Sequence, residues 1–289
     1  MPTARAELLR RCTFPAPGTP VVAAVSGGAD STALLLLAVD AGCDVTAVHV
    51  DHGLRPGSAA EADHVAAVAA GVGAAFRAAS VPVEPGPNLE ARARDARRAV
   101  LGPDAMTGHT ADDQAETLLL QLLRGAGTAG LAGMRPGPTK PILALRRAET
   151  RELCRARGVA WLEDPSNADP AFRRNRVRAE LLPLLDDVAE RDTAPLLARA
   201  AALLDEDDRF LDDLAAGLDP TDCRALNEAP VVLARRAVRR WLTAARPPYP
   251  PDLATVERVL AVARGDARAT DAGGGTSVRR TAGRLRIDQ

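Results

Sequence analysis

Two short stretches carry most of the side chains that could do chemistry. One is Ser26-Gly27-Gly28-Ala29-Asp30-Ser31, and the other is His109-Thr-Ala-Asp112-Asp113-Gln114-Ala-Glu116. The first joins the apolar run Val21–Val25 to a helical pattern that starts near Ser31. Gly27 and Gly28 permit backbone angles closed to other residues and clear side chains from an approaching ligand. The helix that follows offers unpaired N–H groups and a partial positive charge, so the junction is an anion cradle. Ser26 and Ser31 add hydroxyls. Asp30 would repel a bare phosphate, and makes sense beside one if it holds Mg²⁺. A tight turn with Asp30 as helix cap would use the same residues. Placement after the first strand of an α/β sheet favours the phosphate reading. No Gly-Lys-Ser/Thr follows, and Lys140, the only lysine, sits far along in GPTKP, so this is not a Walker A loop.

In the second stretch Asp112, Asp113 and Glu116 crowd a helix start. Asp112 and Glu116, four apart, are expected on one face. Acids in a first turn complement the helix dipole. Together with His109 near a nucleotide they could also bind metal and grip a cationic substrate. Arg124 and the glycines after it form a loop able to approach a ligand closely. Between the two stretches, HVDHGLRPGS places His49, His52 and Arg55 at a strand end, where they suit phosphates, a base or an RNA backbone. Without a third ligand, the two histidines are not a metal site, and His49 by itself reads as a packed strand residue. Over 135–178 Arg and Lys outnumber Asp and Glu roughly two to one, and Arg173, Arg174, Arg176 and Arg178 fall on one basic helix that also holds Asn175. In a chain of net charge −1, such a band suits a polyanion.

The elements needed to position these groups are legible. Strand-like runs at Val21–Val25, Asp44–Val50, Ala75–Val81, Ala105–Thr107 and Ile142–Leu145 alternate with helical patterns at Ser31–Ala41, Ala60–Gly71, Leu89–Val100 and Asp112–Leu123. That alternation predicts an α/β fold with a Rossmann-like parallel sheet. From 186 the pattern is mainly helical, with a solvated acidic face expected over 186–219 and a single strand at the C-terminal end. The expected division is 1–185 and 186–289, which 289 residues can accommodate. Aromatics make up 2% of the chain, so Leu, Val and Ala must build the cores. Four cysteines without a C-x-x-C pair argue for reduced thiols and against a zinc knuckle or disulfide framework. With no signal-peptide pattern and no apolar run near the ~20 residues of a membrane span, the expectation is a soluble cytoplasmic protein.

SGGADS resembles the phosphate loop of the PP-loop ATP pyrophosphatases, also called adenine nucleotide alpha hydrolase-like proteins. In order and wording SGGADS, HVDHGLRPGS, ARDARRAVL, GHTADDQAETLLLQLLRGAGTAGLAGM, KPIL and DPSN…RRNRVR are together similar to the tRNA(Ile)-lysidine synthase family, closely over about residues 18–185. The resemblance implies ATP-dependent attachment of free L-lysine to the wobble cytidine of the CAU anticodon of tRNA(Ile), through an adenylated base, with AMP and pyrophosphate released. It implies Ser26, Gly27, Gly28, Ala29, Asp30, Ser31, His52 and Arg55 as ATP-binding. Asp30, Asp112, Asp113 and Glu116 become catalytic, with Asp30 and Asp112 on Mg²⁺. His109, Glu116, Arg124, Arg174, Asn175 and Arg178 become lysine- or tRNA-binding. A helical C-terminal domain contacting tRNA and a homodimer are implied as well. Asp51 and Arg98 depart from the pattern, where many relatives have a histidine and an aromatic. Rival readings are a thiolating PP-loop enzyme acting on tRNA cytidine, an amide-forming ligase, and a non-catalytic adenine-nucleotide-binding module.

Overall fold

The computed structural model describes residues 2–51, 58–81, 89–164, 169–245 and 250–288. His52 and Arg55 lie outside the described residues, as does the Ser166-Asn167 turn. The chain divides into two compact units, Met1–Leu204 and Asp205–Gln289.

The first unit opens with α1 (Pro2–Arg10), and β1 (Pro20–Ala24), α2 (Ala29–Asp40), β2 (Asp44–Asp51), α3 (Ser58–Gly71), β3 (Ala75–Ser80) and α4 (Leu89–Leu101) follow. β1, β2 and β3 pair in parallel in that order, with Val22 opposite Thr46 and Val48 opposite Arg77. On the other side of β1, Met106 makes one parallel bridge to Ala23, with Met106 N–H donating to Val22 at 2.8 Å and Ala24 N–H to Met106 at 2.9 Å. The expected strand at Ala105–Thr107 is thus a single bridge. It still defines the topology, because β1 has neighbours reached by crossovers in opposite directions. The C-terminal end of β1 is therefore the switch point where open α/β sheets bind ligands.

α2 explains the apolar run after the loop. Thr32, Ala33, Leu34, Leu35, Leu36, Leu37 and Ala38 are all buried, so the helix is apolar all round because it is covered all round. Ile142–Leu145 is not a strand but a sequence of turns, with Ile142 and Leu145 both fully buried. A short apolar run of this kind carries the burial signal without the pairing signal. The remaining elements of this unit are α5 (Ala111–Leu122), α6 (Thr128–Leu131), α7 (Arg147–Ala156), α8 (Arg173–Arg176), a π-helical turn (Val177–Leu181), α9 (Leu182–Ala189) and the first half of α10 (Ala194–Ala216).

The second unit holds the rest of α10, then α11 (Cys223–Glu228), α12 (Val231–Ala245) and α13 (Leu253–Arg264), followed by β4 (Ala269–Gly273), β5 (Thr276–Thr281) and β6 (Arg284–Asp288). Its core joins Val238, Val256, Val259 and Leu260 to Val278 and Leu285. The expected single C-terminal strand is instead a hairpin. Ala282 and Gly283, both at positive φ (50° and 75°), turn β5 back into β6, as a two-residue hairpin loop requires. The acidic face expected to be solvated is partly buried: Asp205 and Asp208 are 4% and 2% exposed, and pair with Arg209 and Arg236. Among the described residues no helix is long and apolar enough to cross a membrane.

Candidate active site

The loop after β1 divides the work of its two glycines. Gly27 sits at φ +87°, and a Cβ there would fall 2.8 Å from Leu162 Cδ1, while Leu162 N–H donates to the Gly27 carbonyl at 2.8 Å. Gly27 therefore serves the turn and its cover, not an open approach. Gly28 is the open position. It caps α2 at φ −70°, and a Cβ there would meet nothing closer than 3.7 Å. Ser31 Oγ donates to the Gly28 carbonyl at 2.9 Å, lies 3.1 Å from Ser26 Oγ and accepts from Ser26 N–H at 3.2 Å. The hydroxyls thus shape the loop through their own bonds. Ala29 begins the helix and is buried.

Opposite this loop, α5 starts at Thr110. Asp113 Oδ2 accepts from Thr110 N–H at 2.8 Å and Oγ1 at 2.9 Å, which fixes the helix start. Its other oxygen, Oδ1, accepts from Arg147 Nη2 and Arg174 Nη2, each at 3.1 Å. Glu116, one turn on, has no exposed surface and meets three guanidinium groups: Arg147 Nη1 at 3.1 Å, Arg174 Nε at 2.7 Å, and Arg178 through Nε at 2.7 Å and Nη2 at 3.1 Å. Gln114 ties down the glycine-rich loop after α5, donating to Ala132 and Met134 and accepting from Met134 N–H at 2.8 Å.

Asp112 and Glu116, expected on one helix face, have different partners, and it is Asp113 and Glu116 that share Arg147 and Arg174. Asp112 turns to α7, where Oδ2 accepts from Arg146 Nε at 3.0 Å and Arg147 N–H at 2.8 Å, and Oδ1 from Arg146 Nη2 at 2.9 Å. Burial acts to raise the carboxyl pKa of Asp112, but the Arg146 bonds and the Arg147 amide outweigh it and hold it below the usual range. Asp113 is likewise held low: its burial is outweighed by Arg147, Arg174 and the Thr110 amide. Asp30 goes the other way. Burial raises its pKa against the opposing pull of the Thr150 hydroxyl and Arg147. Asp30 Oδ1 accepts from Thr150 Oγ1, while Oδ2 has only a long 3.3 Å contact to Arg147 Nε.

The other expected residues are dispersed or committed. His49 is 3% exposed with Nδ1 3.0 Å from the Val25 carbonyl, the packed strand residue. His109 Nδ1 lies 2.8 Å from Thr107 Oγ1. Asn175 Nδ2 donates to the Asp169 carbonyl at 2.9 Å, holding a turn, and Arg124 is exposed. Of the basic band, Arg146, Arg147, Arg174 and Arg178 are engaged with acids rather than spread over a surface.

Arg147, the residue common to the acids, was not among the sequence candidates, nor was helix α7. The helix was legible: Thr150, Leu153 and Cys154 are buried at helical spacing, and Glu149, three residues after Arg146, accepts from Arg146 N–H at 2.7 Å as a helix-start residue. That Arg147 points at Asp30 and α5 could not be read, because those contacts span 31 to 117 residues.

Two family domains match the chain, a PP-loop domain over residues 4–185 and a TilS substrate binding domain over 222–286. A tRNA(Ile)-lysidine synthase of Nocardia farcinica is 42% identical, covering 94% of this chain and 92% of that one. The enzyme of the same name in Thermus thermophilus is 40% identical over 84% of this chain, which spans 51% of that longer relative. Among solved structures, the U34-tRNA thiolase NcsA of Methanococcus maripaludis shares the fold, with a TM-score of 0.55 at 15% identity over 71% of this chain and 79% of that one. A phosphate loop at the switch point, an acid–arginine cluster beside it, and relatives that cover nearly the whole chain converge on one assignment: the chain belongs to the tRNA(Ile)-lysidine synthase family.

Proposed function

We propose that this chain attaches free L-lysine to the wobble cytidine of the CAU anticodon of tRNA(Ile), with ATP as co-substrate. The observation that carries the reading is the convergence of Asp30, from the loop after β1, with Asp113 and Glu116, from α5, on the guanidinium of Arg147. Two half-reactions are needed. In the first, the cytosine carbonyl oxygen attacks the α-phosphorus of ATP, the bond to the β-phosphate breaks, and pyrophosphate leaves. In the second, the lysine amine attacks the ring carbon, the carbon–oxygen bond breaks, AMP leaves with the electron pair, and the amine sheds a proton.

The open N–H groups from Gly28 to Ser31 suit the phosphates. Asp30 suits a single contact to Mg²⁺ carried in by them, since Oδ2 has only a long partner and Mg²⁺ keeps phosphate and water ligands. The ion would supply charge neutralisation of the leaving pyrophosphate. Asp112 suits this role poorly because both its oxygens are committed to Arg146 and the Arg147 amide. Among the described residues no group of three or more His, Cys, Asp or Glu side chains could hold a metal by itself. Asp113 and Glu116 suit the cationic amine and the proton it sheds.

The 222–286 segment supports an RNA-contacting role, with 13 arginines and 6 acidic residues in a chain of net charge −1. Exposed Leu184 and Val188, one turn apart on α9, would suit a homodimer contact. Free thiols at all four cysteines suit the cytoplasm.

Incubation with ATP, Mg²⁺, lysine and unmodified CAU-anticodon tRNA tests the reading. One cytidine should gain the mass of lysine minus water, seen by nucleoside mass spectrometry. Sulfur at that position, or an unaltered tRNA with ATP intact, would refute it.

A further inference from the structure

Among the described residues, Arg147 is the one side chain that bonds both the acid of the loop after β1 and the acid pair of α5. Its three guanidinium nitrogens go to three different carboxylates: Nε to Asp30 at 3.3 Å, Nη1 to Glu116 at 3.1 Å and Nη2 to Asp113 at 3.1 Å. A planar guanidinium fork can do this, whereas an ammonium, with a point charge on a flexible stem, cannot hold the same geometry. The side chain is 17% exposed, so the charges are only partly screened. Arg174 and Arg178 also hold Asp113 and Glu116. The carboxylates proposed to receive the lysine amine are therefore already occupied by cations, and one of those cations is shared with the nucleotide loop.

We propose that Arg147 is a positioning residue that couples the nucleotide site to the lysine site, standing in for the substrate cation until ATP is bound. The inference rests on the functional reading above. The triphosphate brings a larger negative charge beside Asp30 than Asp30 itself carries, and Arg147 follows it. Asp113 and Glu116 then lose one of their guanidinium partners and gain room and net charge for the lysine amine. The coupling must be reciprocal: nucleotide tightens lysine, and lysine tightens nucleotide, by one and the same factor.

The test is a binding cycle on the full-length protein, without tRNA and without turnover. Lysine affinity is measured by calorimetry with and without α,β-methylene-ATP and Mg²⁺, in the parent chain and in Arg147→Gln and Arg147→Lys. In the parent the nucleotide should tighten lysine about tenfold, within the usual range of coupling between sites. In Arg147→Gln the two lysine affinities should become equal, with the nucleotide-free one no weaker than the parent's. Arg147→Lys, which keeps the charge but not the fork, should restore part of the coupling. Circular dichroism and thermal unfolding establish that each variant is folded. If Arg147 merely supports the structure, both affinities fall together and the ratio survives, which overturns the proposal. Equal affinities with and without nucleotide in the parent also overturn it. If the parent binds no lysine under either condition, the assignment of Asp113 and Glu116 to the lysine site fails along with it. Lysine addition to tRNA by the parent chain tests the activity independently of both.

Discussion

Asp30 is held in a folded environment that disfavours its charge. Burial raises its pKa, and Thr150 and Arg147 compensate only in part. A carboxyl that binds its proton more tightly when folded costs stability at neutral pH, where it must ionise. Such a cost fits the binding role proposed for Asp30. Asp30→Asn, nearly the same shape and still able to accept from Thr150 through its one amide oxygen, loses only the long contact to Arg147 and should leave the melting temperature unchanged or raised while removing pyrophosphate release. Pyrophosphate detection beside a thermal melt checks both. Full turnover in Asp30→Asn would leave Asp30 no role beyond its bonds to Thr150 and Arg147. Asp113 and Asp112 are opposite cases, since their arginine partners outweigh burial and favour the ionised form. The phosphate-loop acid and the α5 acids are thus set apart by environment rather than by residue type.

The elements transmit this placement through close backbone contacts. Gly108, in the loop after the Met106 bridge, lies against the start of α2: a Cβ there would fall 2.8 Å from the Asp30 carbonyl oxygen and 2.9 Å from Asp30 C and Ser31 N. Those atoms are backbone and cannot swing aside. Gly108→Ala must push α2 away from the loop, which should cost about 1–3 kcal/mol by overpacking. It should also raise the KM for ATP, because the moved helix start is the proposed phosphate cradle. Gly71→Ala is the control, since nothing lies within 4 Å of a Cβ at that position. Thermal unfolding and ATP titration of the two variants separate the cases. A Gly108→Ala chain as stable and as tight for ATP as Gly71→Ala would show that the contact relaxes freely. α7 acts in the same way from the other side, its first turn giving Asp112 a backbone N–H and its side chains reaching Asp30.

Across the whole molecule, charge is distributed by use. The first unit consumes its central arginines internally on buried acids. The second carries exposed arginines on its sheet, where Arg279 and Arg286 lie directly opposite one another on β5 and β6 while Val278 and Leu285 face the core. Arg279 pairs with Asp288 at 2.8 Å, and the exposed charge of Arg286 beside it suits an anionic partner. If that face meets the tRNA backbone, binding should weaken with salt. Arg286→Ser should then lower the slope of log affinity against log salt by about one. Filter binding at several ionic strengths reads it, with ATP affinity expected unchanged. An unaltered slope would remove this face from the RNA contact.

The sequence by itself determined the class of the first unit and offered the candidate residues for its chemistry. Period-two and helical patterns are local, and the glycine pair, the acids at a helix start and the motif order are all contained within short stretches. Asp30, Asp113 and Glu116 could be named that way. The sequence could not determine which acids face one another. Asp112 and Asp113 are neighbours of one type, and only the approach of α7 sends one to Arg146 and the other to Arg147 and Arg174. Nor could it show that Gly27 is covered by Leu162, that a run at 142–145 is buried without pairing, or that the C-terminal strand folds back on itself. Each of those depends on a partner distant in the chain, or on a turn whose Ala282 gives no glycine-like signal. Local pattern specifies elements, and long-range packing specifies which of their side chains meet.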